Sequence, residues 1–160
     1  MVLVVIGILV GVATPSMKTM IERNRTQAQV SALYGTLMMA RSESITRNQP
    51  AVLCMSSNGS SCTTSGNWEQ GWLLYVDEDN DGTFGSSEEL IRASNALVTN
   101  YTLRAVAPLS TTVTFRANGT TPDSGSFRLC PPSQNTDDGY SIVLTITGRA
   151  RLSEGVDACP

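Results

Sequence analysis

The chain has 160 residues, 41% hydrophobic and 16% charged, with a formal net charge of -3 and a pI near 4.8. That length holds one domain with a real core and leaves little room for a second, and the acidic balance argues against a uniformly basic, DNA-coating surface. Histidine is absent, which removes imidazole metal sites and the Ser-His and Cys-His nucleophile pairs together.

The first predicted element is a long helix. It opens on an uncharged run of Val2, Leu3, Val4, Val5, Ile6, Gly7, Ile8, Leu9, Val10, Gly11, Val12 and Ala13. A secretory signal carries basic residues ahead of its apolar stretch, whereas here the first basic residue, Lys18, follows it. A membrane-spanning helix needs about 20 apolar residues, more than this run supplies. Gly7 and Gly11 have the G-x-x-x-G spacing that lets helices approach closely. Over residues 16–48 the helix turns amphipathic, with Val30, Leu33, Tyr34, Leu37, Met38 and Ile45 on one face. Asn48-Gln49-Pro50 stops it. A rod of this length measures about 65–70 Å, too long for a domain of this size to enclose. Residues 1–13 are therefore expected to be buried in lipid or among sister helices.

Beyond Pro50 the texture changes to short strands and Gly/Asn turns. Strands are expected at Ala51 to Met55, Trp72 to Val76, Glu89 to Arg92, Tyr101 to Val106, Val113 to Arg116 and Ser126 to Cys130. Tyr140 to Thr147 is the clearest alternating run, with Ile142, Leu144 and Ile146 on one face. The expected fold class is α+β, a long N-terminal helix (1–50) packed on an antiparallel β domain (51–160).

Cys54, Cys62, Cys130 and Cys159 show no C-x-x-C spacing, which argues against a zinc knuckle or a thioredoxin-type site. Four cysteines admit three pairings. The local one, Cys54 with Cys62 and Cys130 with Cys159, would close a short loop and pin the C-terminal tail, but the sequence leaves the choice open. Disulfides point to an extracytoplasmic location.

The segment DEDNDGTFGSSE satisfies the EF-hand loop pattern through Asp77, Asp79, Asp81, Gly82 and Glu88. An EF-hand is flanked by helices, and strands are expected on both sides here. A solvated acidic hairpin loop is therefore the favoured reading, with no metal expected, and calcium held by Asp77, Asp79, Asp81 and Glu88 is the alternative. Trp68 and Trp72 form a possible sugar platform, though core packing of at least one indole is the commoner outcome. Ser42, Glu43, Arg41 and Arg47 make a polar helix face suited to solvent or neighbouring subunits. With no nucleophile–base pair or metal cluster visible, neither catalysis nor a cofactor is expected.

VVIGILVGVATPS, then LMMARSESITRNQP leading into AVLC, then WEQGWLLYVDEDNDG, and finally TGRARL occur in this order. In that combination, over nearly its whole length, the chain resembles the minor type IV pilins and type II secretion pseudopilins of the GspH/FimT/FimU family. The resemblance implies a helix held in the bacterial inner membrane, with its head in the periplasm, and later packed into a filament core. The implied partners are other pilins or pseudopilins, and the implied position is an initiating or tip complex. Members of the family begin with a basic leader cleaved before a Phe, and carry Glu at the fifth mature position. An in-frame leader is accordingly expected upstream of Met1.

In TGRARL, Arg149 and Arg151 are two residues apart and would point the same way from a strand. Gly148 would leave room for a close phosphate. FimT-like pilins with a G-R-x-R tail resemble this, which implies capture of double-stranded DNA. The competing expectation is that the two arginines pair with Glu154 and Asp157, or guard a sheet edge.

Overall fold

The computed structural model describes residues 2–159, with side chains from residue 17 onward. The expected anchor, Val2 through Ala13 with its Gly7 and Gly11 contacts, lies outside the described side chains. Helix α1 runs Val2–Arg47. It ends where the sequence supplies a residue tolerant of left-handed backbone: Asn48 has φ 54°, and its amide and that of Gln49 turn back to the carbonyls of Ile45 and Ser44. Pro50 then prevents any continuation.

The face that α1 buries is a stripe of Thr26, Val30, Leu33, Leu37, Ala40 and Ser44, with spacings that alternate between four and three residues. Its buried hydroxyls need partners in an apolar setting. Thr26 and Ser44 donate to the carbonyls of Glu22 and Arg41, and Thr36 donates to Ala32 while accepting from the Trp72 indole. Tyr34 and Met38 flank the stripe half-buried, but Ile45, expected on the same face, is 51% exposed. Ile45 lies beyond the edge of the stripe, against Gly119.

Eight strands follow: β1 Ala51–Met55, β2 Trp72–Val76, β3 Glu89–Ser94, β4 Thr102–Val106, β5 Thr112–Phe115, β6 Gly125–Cys130, β7 Tyr140–Leu144 and β8 Ala150–Glu154. They form two four-stranded sheets of order β3-β2-β1-β5 and β4-β6-β7-β8, antiparallel throughout. The run Tyr140 to Thr147 is shorter than expected. It leaves the ladder after Leu144, so Ile142 and Leu144 are buried while Ile146 sits in the turn at 65% exposure.

One core joins the three layers. Val30, Leu33, Leu37 and Ala40 of the helix meet Leu53, Trp72 and Leu74 of the first sheet and Phe127, Leu129, Ile142 and Leu144 of the second. Trp68 packs edge-on against Phe127, with ring centroids 5.0 Å apart. The first sheet carries a smaller core on its other face, where Val52, Cys54, Leu73 and Tyr75 are covered by Cys62 and Phe84. The cysteines adopt the local pairing, Cys54–Cys62 and Cys130–Cys159.

Candidate functional site

The C-terminal hairpin places the arginine motif. After β7 the chain turns through residues 145–149, closed by the Gly148 amide on the Thr145 carbonyl and the Thr145 amide on the Arg149 carbonyl. Gly148 has φ +73°, and a methyl on it would overlap the carbonyl oxygen of Gly119. Its glycine is therefore required by packing of the turn on the β5–β6 loop, and Gly148 is buried. That corrects the expected role of Gly148 as space for a phosphate. Arg41 reaches the same junction, its Nε donating to Gly119 O at 3.1 Å.

Arg149 and Arg151 flank the buried Ala150 and are both exposed. Pairing of Arg151 with Val143 and of Ala150 with Leu144 puts Arg151 on the outer face of the second sheet, and strand alternation puts Arg149 on the same side. The expected partners are engaged elsewhere: Asp157 with Arg128 at 3.2 Å and Glu154 with the Tyr140 hydroxyl at 3.5 Å. Among the described residues, neither Arg149 nor Arg151 is in an ion pair. β8 is also an edge strand, where exposed arginines discourage further strand pairing.

The acidic loop joins antiparallel β2 and β3 and is exposed along most of its length, but the carboxylate at its root is not solvated. Asp77 is 3% exposed, and its two oxygens accept the amides of Asp81 and Gly82 at 3.1 and 3.0 Å. Burial pushes its carboxyl above the usual range, opposed by those amides and that of Asn80. Asp79 accepts from the Asp81 amide, and Asp81 takes the amide and hydroxyl of Thr83, which hold its carboxyl low. Carboxylate oxygens of Asp77, Asp79 and Asp81 lie within 4.8 Å of one another, while Glu88 turns to the Gly85 amide. These carboxylates fold the loop so that Phe84 covers Tyr75.

Both indoles are 1% exposed and donate inward, Trp68 to the Ser110 carbonyl and Trp72 to Thr36. A sugar platform is excluded. The polar helix face is likewise used within the chain. Arg47 bridges Glu43 and Glu89, which lowers the Glu89 carboxyl's affinity for a proton, and Arg41 holds the β5–β6 loop. Sequence reasoning missed Arg128 and its contact with Asp157. The only available signal was the alternation around Phe127 and Leu129.

The helix has a second feature of its own. Its buried stripe begins at Thr26, whereas Met17, Met20 and Ile21 are 64%, 65% and 47% exposed. The rod outruns the head. Among the described residues no helix is long and apolar enough to cross a membrane.

Among curated proteins no sequence relative matches significantly. The fold is similar to that of the type IV minor pilin FimU of Pseudomonas aeruginosa, at TM-score 0.66 and 22% identity, covering 87% of this chain and 98% of that one. It is also similar to the minor pseudopilin EpsH from the type 2 secretion system of Vibrio cholerae, at TM-score 0.59 and 11% identity, covering 81% and 97% of the two chains. A family model described as type II transport protein GspH matches residues 29–148, from the buried stripe of α1 to the glycine of the terminal turn, and by that match the chain belongs to the GspH family.

Proposed function

We propose that this protein is a minor pilin that assembles through its N-terminal helix into a type IV pilus, within the initiating or tip complex. The family and fold are those of minor pilins and pseudopilins of type IV pili and type II secretion, which are structural proteins rather than enzymes and assemble with others of their kind. In this reading, residues 1–50 are the assembly element and 51–160 the head. Before assembly the helix rests in the inner membrane with the head in the periplasm. The supporting observation is the exposed apolar stretch of Met17, Met20 and Ile21 ahead of the buried stripe, which gains from burial against sibling helices. The test is a deletion strain complemented with wild type or with Met20→Asp. Loss of surface pili in the deletion and in the variant is expected. Unchanged pili in the deletion overturn the reading, and a secretion defect with normal pili transfers the role to a type II pseudopilus.

A second function is favoured by one observation, the two exposed arginines on one face with no acidic partner. On this reading Arg149 and Arg151 grip adjacent phosphates of double-stranded DNA. A salt-dependent gel shift by wild type, abolished by Arg149→Ala/Arg151→Ala, is expected. Absence of any wild-type shift at low salt ends it.

A further inference from the structure

The outer face of the second sheet bears a charge opposite to that of the whole chain. Register decides which side chains share it. Phe127 and Leu129 point into the core, so Arg128 and Ser126 point out. Arg128 stands opposite Ser141, and Ser141 opposite Ser153. One step along, Ser126, Val143 and Arg151 form the next row. Two strand spacings and one two-residue step separate Arg128 from Arg151, about 12 Å between backbones. On the far side of Arg128 stands Arg104, already neutralised by Glu69. Glu154 is two residues from Leu152, on the inward side of β8, and is held by Tyr140.

Besides Glu69, which takes up Arg104, the acid that meets these cations is Asp157. It comes from the tail that returns from β8 to the Cys130–Cys159 bridge. Its side chain is 93% exposed, and it meets Arg128, itself 28% exposed, through a single contact at 3.2 Å. An exposed pair of this kind contributes little to stability, and a phosphate that accepts from the guanidinium in bidentate fashion displaces it readily. Between the tail and the sheet runs a groove of about 230 Å³ lined by Arg128, Ser126, Ser141, Ser153 and Asp157. Its hydroxyls are of the type that donate to phosphate oxygens.

We propose that this face is a phosphate track for duplex DNA in which Arg128 is a third cationic contact beyond Arg149 and Arg151, and that Asp157 is a built-in competitor occupying Arg128 until DNA arrives. The inference rests on the DNA-binding reading and extends it from a two-arginine tip to a surface two strands wider. Arg149 and Arg151 stand two residues apart at the edge strand and Arg128 lies two strands inward, so the three free or weakly held guanidiniums span a width that offers a duplex more than one phosphate contact.

The test is fluorescence anisotropy of a labelled duplex with the full chain in nonionic detergent, across a series of salt concentrations. Arg128→Gln is expected to reduce the slope of log affinity against log salt by about 1. Asp157→Asn is expected to tighten binding about two- to fivefold, and to lose that gain when combined with Arg128→Gln. An unchanged slope in Arg128→Gln, together with unchanged affinity in Asp157→Asn, overturns the proposal, even while Arg149→Ala/Arg151→Ala abolishes binding and the DNA reading stands. Defective filament incorporation by Arg128→Gln with normal DNA binding also overturns it, assigning the face to a sister subunit. No binding by wild type removes the DNA reading, and the track with it. Should Arg128→Gln fail to fold, the Asp157→Asn arm alone decides.

Discussion

The two sheets share a strand count and a helix but differ in what covers their outer faces. In the first, β1 and β2 are buried at every position, because Cys62 and Phe84 close over Val52, Cys54, Leu73 and Tyr75. In the second, β7 alternates between buried and accessible positions, and its outer face carries serines and arginines. A sheet packed on both sides is a scaffold. One packed on a single side has a surface to offer, and here that surface holds the cations an acidic chain otherwise disperses. The loops decide the difference: the 77–84 loop folds back on the first sheet, whereas the second receives only a thin tail ending in Cys159.

The contrast is broken most strongly at the turn that joins β7 to β8. Gly148→Ala forces a left-handed residue into the Gly119 carbonyl and is expected to cost about 3 kcal/mol, read as a fall in the denaturant midpoint. DNA binding by the folded fraction should persist, because the glycine serves packing. The cover of the first sheet comes next. Asp77→Ala strands two loop amides and is expected to cost about 2 kcal/mol, with Phe84 released from Tyr75 and more rapid proteolysis within residues 77–88. If the loss is negligible, the buried carboxylate is not what folds the loop. The smallest effect belongs to the open face. Arg149→Ala/Arg151→Ala is expected to change stability by less than about 0.5 kcal/mol. A larger loss means the arginines hold the edge strand in place, and so weakens the case for a ligand.

Periodicity made the helix legible, since a stripe spaced by three and four residues survives any tertiary context. The strands were legible from β-branched and aromatic runs, though their ends drifted where a turn intervened. The β7 run reads as alternating through Ile146, and only the closure of the turn by Gly148 removes its last three residues. For Trp68 and Trp72 the sequence favoured core packing of at least one indole over a platform, and the structure buries both, with the Ser110 carbonyl and the Thr36 hydroxyl accepting from their ring nitrogens. Of the candidate site, the arginine pair was visible in TGRARL, whereas Arg128 and Asp157 were not. Their meeting depends on a disulfide between positions 29 residues apart and on strand register, neither of which leaves a local pattern.

By itself the sequence determined a long amphipathic rod, an antiparallel domain after Pro50, and an oxidised, histidine-free chain, because each follows from spacing or composition along a short stretch. Only the tertiary structure decided which cysteines join, that Gly148 is a packing residue, and which sheet face stays open. Those outcomes depend on groups far apart in the chain being brought within a few ångströms, and no local run of residues encodes that distance.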